Sequence, residues 1–254
     1  MSRFSVLEID KWILPKPWPV EAVQVPRYQA HRGHWSEAIP ENSLKSLIEA
    51  KRQGLFMSEI DVRLSRDGVP VLSHDRSLQR IFGINQNVSQ LDFSELAKIG
   101  VDSLESVLQN PDCCQFLNIE LKSTSAVQDK LERMVAQVIK KQKADRRVYF
   151  SSFNPFSLWR MANYLPQIPR ALLVSDQLVQ GNNIFLRKKI LAPFIPLHAL
   201  HLQETMISEE VLRKYSSQKL PIAIWTVSSA QKAETYFKWG AWSVISEGIG
   251  VRRR

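Results

Sequence analysis

Short apolar segments alternate with amphipathic segments over most of this chain. The apolar segments are rich in Val, Ile, Leu and aromatic residues, a composition typical of strands that are buried on both faces. The pattern predicts strands at residues 26–31, 56–64, 69–74, 116–121, 148–152, 170–174, 197–202, 221–226 and 243–246.

Helical patterns lie between most of these strands. Segment 126–142 places Leu131, Val135 and Val138 on one face of a helix, and other segments open with helix-start residues such as Asn42 or Pro155. The predicted helices are residues 42–53, 126–142, 155–164, 208–217 and 229–239.

Alternating strands and helices predict a parallel sheet with right-handed crossovers. About eight such units in 254 residues suit a single (β/α)8 TIM barrel. A doubly wound open sheet is the alternative, but no Gly-x-Gly-x-x-Gly turn follows the first strand. Asp67-Gly68 predicts a hairpin that returns His74 toward the second strand. We expect residues 75–104 to form an irregular, lid-like excursion.

The two ends of the chain lie outside this alternation. Residues 1–24 form a predicted N-terminal extension, and residues 25–254 form the barrel domain. The last strand is followed by too few residues for a covering helix, so we expect residues 4–20, rich in Trp and Pro, to pack against the barrel. A disordered tail or a membrane-touching segment is the alternative.

Composition narrows the class of protein. The formal net charge is +9, but the basic residues are scattered and accompany no zinc finger, RNA-recognition motif or basic zipper, so we expect no nucleic-acid partner. The two cysteines, Cys113 and Cys114, are adjacent and are expected to be free thiols in a reducing compartment. We find no signal peptide and no apolar run long enough for a membrane span, which favours a cytoplasmic protein.

Carboxylates stand at the ends of two predicted strands. Glu59 and Asp61 are two residues apart, so they point to the same face, and Glu120 lies on the next strand of the barrel. Charges inside apolar strands are costly to bury unless they are paired or bind a metal. Three converging carboxylates therefore predict a site for one hard divalent cation, Mg²⁺ or Ca²⁺.

Two histidines and two cationic side chains accompany the carboxylates. His31 and His74 each follow an apolar strand, and Arg32 and Lys122 lie beside His31 and Glu120. Imidazoles and cations at such a site indicate acid–base chemistry on a phosphate ester.

The order and spacing of these motifs resemble the glycerophosphodiester phosphodiesterase family. The matching segments are His31-Arg32-Gly33, Pro40-Glu41-Asn42, Glu59-Ile60-Asp61-Val62, Asp67-Gly68-Val69-Pro70-Val71, His74-Asp75, Leu104-Glu105-Ser106-Val107-Leu108, Ile119-Glu120-Leu121-Lys122, Ser152-Phe153-Asn154-Pro155 and Ile224-Trp225-Thr226-Val227. The resemblance implies a (β/α)8 barrel enzyme that needs a divalent cation and hydrolyses glycerophosphodiesters to glycerol 3-phosphate and an alcohol.

The resemblance also implies roles for individual residues. Glu59, Asp61 and Glu120 match the family's metal ligands, and His31 and His74 match its acid–base pair. Arg32 and Lys122 match the family residues that bind the phosphate of the substrate.

Other residues are assigned to the surroundings of the site. Glu41 and Asn42 are expected to support the ligands, with a helix cap as the alternative for Asn42. Phe153 and Trp225 are expected to line the pocket, with core packing as the alternative for Phe153. His34, His198 and His201 receive no role.

Two departures from the family pattern bear on substrate choice rather than on chemistry. The Thr-Thr pair often found after His74 is missing, and Ser246-Glu247-Gly248 stands where Thr-Asp-Arg-Pro is usual. The enzymatic alternative is a lysophospholipase D or a sphingomyelinase-type phosphodiesterase on the same scaffold, since Trp12, Trp18 and Trp35 offer apolar surface for an acyl chain. A phospholipid-binding module without catalysis is the alternative from another class. The sequence leaves open the head group, the native metal, the acid and base assignment and the oligomeric state.

Overall fold

The computed structural model of the chain describes residue 6 and residues 14–176 and 196–249. The strands are β1 (Leu14–Pro15), β2 (Tyr28–His31), β3 (Met57–Leu64), β4 (Pro70–Leu72), β5 (Phe116–Leu121), β6 (Val148–Ser152), β7 (Arg170–Val174), β8 (Pro196–Leu197), β9 (Ala199–Gln203), β10 (Ile222–Val227) and β11 (Ser243–Ser246). The α-helices are α1 (Leu44–Arg52), α2 (Gln79–Phe82), α3 (Phe93–Lys98), α4 (Leu104–Gln109), α5 (Lys130–Lys141), α6 (Pro155–Tyr164), α7 (Glu209–Ser217) and α8 (Ala230–Trp239).

Eight parallel strands close into a barrel, as the sequence predicts. Their order is β2-β11-β10-β9-β7-β6-β5-β3, and β2 also pairs with β3, which closes the ring. β4 pairs with β3 in the antiparallel sense through the predicted Asp67-Gly68 turn. The open-sheet alternative is therefore wrong.

The main core lies between the barrel and its helices. Ile60 and Val62 of β3 and Ile119 of β5 face outward into this core, where each is fully buried. Residues of opposite parity, such as Asp61 and Glu120, consequently face the barrel interior. The alternation within strands thus separates the packing surface from the site.

The helices begin at residues that satisfy their first amide groups. Ser43, not Asn42, caps α1 and forms a reciprocal capping box with Ser46. Asn154 caps α6 ahead of Pro155, which occupies the first turn. The helix-cap alternative for Asn42 is wrong, because its side chain points instead to Asp61.

The excursion between β4 and β5 is more regular than the sequence predicts. It contains α2, α3 and α4 and has a small core of its own, formed by Val71, Leu78, Val88, Leu96 and Val101. α2 and α3 are only 4 and 6 residues long, too short for a helical period to be recognised in the sequence.

The described part of the N-terminal segment lies against the barrel. β1 pairs with β8, and Val6 accepts a hydrogen bond from Tyr215 on α7 through its carbonyl. Trp18 packs edge-on against Tyr149 and close to Trp242, among residues at the starts of the barrel strands. Trp18 therefore closes the lower end of the barrel, while residues 1–5 and 7–13 and their predicted packing lie outside the described residues.

Residues 247–249, which follow β11, form no helix, and residues 250–254 lie outside the described residues. Cys113 and Cys114 are both buried and free. None of the described helices is both long enough and apolar enough to cross a bilayer.

Candidate active site

Three buried carboxylates meet at the upper end of the barrel. Asp61 of β3 and Glu120 of β5 are partners in the sheet register, and Glu59 lies two residues before Asp61 on the same face. All three side chains are buried, and each offers an oxygen within 4.8 Å of the others. β3 and β5 pair with each other and, on their other sides, with further strands of the ring, so their backbones hold these carboxylates in place.

Two cations partly neutralise this cluster. Lys122 Nζ lies 2.8 Å from Asp61 Oδ1 and 2.6 Å from Glu120 Oε1, and Arg32 Nε lies 3.3 Å from Asp61 Oδ2. Burial alone would raise the pKa of Asp61, but Lys122 and Arg32 together hold it well below its usual range. Asp61 is therefore ionised.

Glu59 has a different electrostatic environment. Burial raises the pKa of Glu59 well above its usual range, and Asp61 and Glu120 raise it further. Its Oε2 accepts a 3.2 Å hydrogen bond from the backbone N–H of Arg32. The cluster thus contains three carboxylates but only two cationic side chains to balance their charge. Its ligand atoms are all oxygens, which suit Mg²⁺ or Ca²⁺. The residues present fit a hard divalent cation.

The loop after β2 positions two further groups around Asp61. Asn42 Nδ2 donates to Asp61 Oδ2 at 2.8 Å, and its Oδ1 accepts from the Asp61 backbone N–H at 2.9 Å. Arg32 and Asn42 both have left-handed backbones, with φ of 57° and 50°. Strained non-glycine residues of this kind are concentrated at functional sites.

Gly33 allows this loop to pass close to α1. Its φ is +83°, and a Cβ at this position would lie 2.3 Å from Ser46 Oγ and 2.7 Å from the Ser46 carbonyl carbon. Only glycine combines this backbone conformation with this close approach. The path of the chain between His31 and Asn42 depends on it.

Both predicted histidines are supported by carboxylates. His31 Nδ1 lies 2.5 Å from Glu247 Oε1, and its Nε2 lies 3.9 Å from Glu59 Oε2. His74 Nδ1 lies 2.7 Å from Asp75 Oδ1. Since an ionised carboxylate only accepts hydrogen bonds, each Nδ1 carries the hydrogen and each Nε2 is left available for chemistry.

The backbone and ring of His74 are held by separate contacts. Arg63 donates two hydrogen bonds to the His74 carbonyl, at 3.0 and 2.7 Å. Burial lowers the pKa of the His74 imidazole, Asp61 opposes this effect, and Lys122 and Arg32 add to it. A lowered pKa favours the neutral imidazole, the form that accepts a proton.

These groups face a cavity that opens to solvent. One wall carries six of the predicted residues: His31, Arg32, Glu59, His74, Glu120 and Lys122. The far wall includes Phe153 and Trp225, whose rings meet edge to face with centroids 5.5 Å apart. Leu173 and Gln203 also line this wall.

Three of the predicted residues, Asp61, Glu41 and Asn42, do not line the cavity. Asp61 is 1% exposed and is covered by its partners. Glu41 Oε1 instead accepts a hydrogen bond from Arg32 at 2.9 Å.

Sequence reasoning missed Glu247 and assigned no role to His201. Glu247 directly follows β11, so the rule that selected Glu59 and Glu120 at strand ends applies to it as well. His201 is fully buried and lines the cavity beside Trp225, whose indole N–H donates to the His201 carbonyl at 3.1 Å. Its parity on the strand places it inside the barrel, and this signal was available in the sequence.

Comparison with known proteins identifies the family. The model of the glycerophosphoryl diester phosphodiesterase family matches residues 31–251. This span contains the carboxylates, both histidines and the cavity. The chain belongs to this family of phosphoric diester hydrolases.

Relatives and solved structures agree with this assignment. A glycerophosphodiester phosphodiesterase from Caldanaerobacter subterraneus is 26% identical, covering 86% of this chain and 92% of that protein. A phosphodiesterase from Oleispira antarctica, solved in complex with the product sn-glycerol-3-phosphate, has a TM-score of 0.71 and 26% identity, covering 87% of this chain and 93% of that chain. A lysophospholipase D from Mus musculus is 43% identical over 96 residues, which are 36% of this chain and 29% of that protein.

Proposed function

We propose that this protein hydrolyses glycerophosphodiesters to glycerol 3-phosphate and an alcohol, with one divalent cation and two histidines. The observation that carries the proposal is the meeting of three buried carboxylates and two carboxylate-supported histidines at one cavity. The similar structure from Oleispira antarctica, in complex with sn-glycerol-3-phosphate, supports this substrate class.

Glu59, Asp61 and Glu120 would hold the cation. When bound, a divalent cation polarises the phosphoryl oxygens and neutralises negative charge that develops on them. The three side chains offer only oxygen ligands, which both Mg²⁺ and Ca²⁺ accept. Asn42 orients Asp61 for this task through its two hydrogen bonds.

Arg32 and Lys122 bind the phosphate of the substrate in this proposal. Both line the cavity, and neither side chain is more than 16% exposed. Their ion pairs with Asp61 and Glu120 do not exclude this role, because a guanidinium and an ammonium each have further donors. The guanidinium can bridge two phosphate oxygens, and the ammonium acts as a point charge.

His31 and His74 transfer the protons. One Nε2 accepts the proton of the attacking hydroxyl, and the other donates a proton to the departing alkoxide as its bond to phosphorus breaks. By resemblance to the family, the attacker is the neighbouring hydroxyl of the substrate's own glycerol. The resulting cyclic phosphate is then opened by water, which returns both histidines to their starting states.

A lysophospholipase D activity is the second candidate. The local similarity to the mouse lysophospholipase D and the apolar residues Phe153, Leu173 and Trp225 of the far wall favour it. Ser151, Ser175 and Gln203 on the same wall favour a hydroxylated, water-soluble substrate instead. We therefore place the glycerophosphodiester first.

The test compares two substrates with the same purified protein. Glycerophosphocholine and lysophosphatidylcholine are supplied in turn, with Mg²⁺ or with Ca²⁺, and both choline and the phosphorylated product are measured. We expect faster turnover of glycerophosphocholine, with glycerol 3-phosphate as the product. Faster choline release from lysophosphatidylcholine would replace the first candidate by the second.

Variants of the histidines test the mechanism. His31→Ala and His74→Ala should each lose on the order of 10²–10⁴-fold in kcat, the usual contribution of general acid–base catalysis. The losses should not add in the double variant, because both groups serve one reaction. His34→Ala, which changes a histidine outside the cavity lining, is the control. A variant slowed only as much as this control would remove that histidine from the mechanism.

A further inference from the structure

Arg80, an arginine on the short helix α2, joins two carboxylates from different loops. Its Nε lies 2.5 Å from Asp75 Oδ2, and its two terminal nitrogens lie 2.9 and 2.7 Å from the two oxygens of Glu41. Asp75 follows β4, whereas Glu41 belongs to the loop between β2 and α1. One guanidinium therefore connects the excursion to the loop that carries Arg32.

The contact with Asp75 extends to His74. Asp75 uses one oxygen for Arg80 and the other for His74 Nδ1. Arg63 fixes the backbone of His74 but does not reach its ring through any of the hydrogen bonds described. The orientation of the imidazole thus depends on the position of the Asp75 carboxylate, which Arg80 holds.

The contact with Glu41 extends to the phosphate side of the site. Glu41 Oε1 accepts from Arg80 and also from Arg32, at 2.7 and 2.9 Å. The Glu41 side chain is only 7% exposed, whereas the Arg80 side chain that reaches it is 48% exposed. Arg32 in turn reaches Asp61 at 3.3 Å. Arg80 therefore holds Glu41, the carboxylate that pairs with Arg32.

We propose that Arg80 is a positioning residue that fixes His74 and Arg32 relative to each other. This inference rests on the proposed function, in which one of these side chains moves a proton and the other binds the phosphate. The planar fork of a guanidinium suits the task, since it can bond two carboxylates at once in fixed directions. The compact ammonium of lysine does not have this geometry.

Stability and activity should respond differently to the loss of Arg80. The Arg80 side chain is 48% exposed, and ion pairs of exposed residues contribute little to the free energy of unfolding. Misplacement of reacting groups by about 1 Å is costly for the rate. The effect of removing Arg80 is therefore on catalysis rather than on folding.

The first experiment measures kcat, KM and the melting temperature of Arg80→Ala, Arg80→Lys and Arg66→Ala. Arg66 is a matched control, because it lies in the same part of the chain, is 54% exposed and pairs with two other carboxylates, Asp92 and Glu95. Arg80→Ala should lose on the order of 10- to 100-fold in kcat and should bind substrate less tightly. Arg80→Lys should recover only part of the loss, and Arg66→Ala should behave as the wild type.

Chemical rescue separates positioning from a general structural role. Guanidinium ion added at millimolar concentration should restore part of the activity of Arg80→Ala, because it can occupy the space between Asp75 and Glu41. It should not affect Arg66→Ala. Wild-type kcat and KM in Arg80→Ala would overturn the proposal. A fall in kcat that comes with a marked fall in melting temperature, and that guanidinium does not rescue, would overturn it as well.

A second measurement needs no substrate. In protein labelled with ¹⁵N-histidine, long-range ¹H–¹⁵N spectra report which ring nitrogen of His74 carries the hydrogen. We expect the Nδ1–H form of the neutral ring in the wild type and in Arg66→Ala, and a mixture of both forms in Arg80→Ala. An unchanged His74 signal in Arg80→Ala would refute the positioning role. Wild-type protein that turns over no glycerophosphodiester would refute the proposed function alone, because the spectra still decide the role of Arg80.

Discussion

The imidazole Nδ1 of His31 lies 2.5 Å from Glu247 Oε1, although 216 positions separate the two residues in the chain. Closure of the barrel produces this contact, since β11 pairs directly with β2. The hydrogen bond with His31 is the main cause of the lowered pKa of Glu247, which is therefore ionised at neutral pH. An ionised partner accepts the hydrogen of Nδ1 and so fixes the orientation and the tautomer of the ring.

Glu247→Ala should therefore slow the reaction without unfolding the protein. We expect kcat to fall on the order of 10- to 100-fold, a part of the 10²–10⁴-fold that acid–base catalysis by a histidine supplies. Glu247→Asp, which keeps the charge on a shorter side chain, should lose less. Steady-state kinetics checks this, and wild-type kcat in Glu247→Ala would show that His31 needs no partner.

Gly33 and Gly83 form a matched pair for testing the loop after β2. Both have positive φ, but a Cβ at Gly33 meets Ser46 at 2.3 Å whereas a Cβ at Gly83 meets nothing within 4 Å. Gly33→Ala should lower both the melting temperature and the activity, since the clash displaces the loop between His31 and Asn42. Gly83→Ala should show only the small cost of the left-handed backbone. Equal effects of the two substitutions would contradict this account.

His201 should make the protein sensitive to mild acid. Burial lowers its pKa from 6.5 to about 3, so below pH 6.5 the unfolded chain takes up a proton that the folded chain does not. The free energy of unfolding therefore decreases as the pH falls below 6.5 and continues to decrease toward the folded pKa. Between pH 7 and pH 5, this residue alone should account for a loss of about 2 kcal/mol.

Urea denaturation at pH 7 and at pH 5 measures this change in the free energy of unfolding. His201→Gln should lose less stability between pH 7 and pH 5 than the wild type does, whatever its stability at pH 7. His34→Gln, at a partly exposed position, should retain the wild-type dependence. Identical pH dependence in the wild type and in His201→Gln would contradict the prediction.

Strands and the carboxylate site could be predicted because their signals are local. The predicted strands at 116–121 and 148–152 coincide with β5 and β6, and parity within β3 and β5 places Glu59, Asp61 and Glu120 in the interior. The resemblance to the family added their roles as proposals. The shared face of Glu59 and Asp61 depends only on their spacing of two residues along one strand.

Features that depend on distant contacts could not be predicted in the same way. The partnership of Glu247 with His31 requires the pairing of β11 with β2, and that of Arg80 with Glu41 spans 39 positions. The predicted strand at 197–202 is divided into β8 and β9, since β8 pairs with the N-terminal segment. Only the folded chain brings these residues together.

Removal of one carboxylate should stabilise the protein in the absence of metal. Burial, Asp61 and Glu120 all raise the pKa of Glu59, because each of them disfavours the ionised carboxylate in the folded protein. Glu59→Gln removes that charge, and we expect a higher melting temperature than that of the wild type in EDTA. Glu210→Gln, an exposed change on α7, is the control and should leave the melting temperature unchanged. A lower melting temperature for Glu59→Gln would show that the cluster does not repel itself.

The most direct test of the central claim is the release of glycerol 3-phosphate from glycerophosphocholine with and without a chelator. We predict no enzymatic release in EDTA, recovery on adding excess Mg²⁺ or Ca²⁺, and no recovery for Glu59→Gln, whereas Glu210→Gln recovers as the wild type does. Full turnover by the wild type in EDTA, or wild-type turnover by Glu59→Gln with either cation, would contradict metal-dependent hydrolysis at this site.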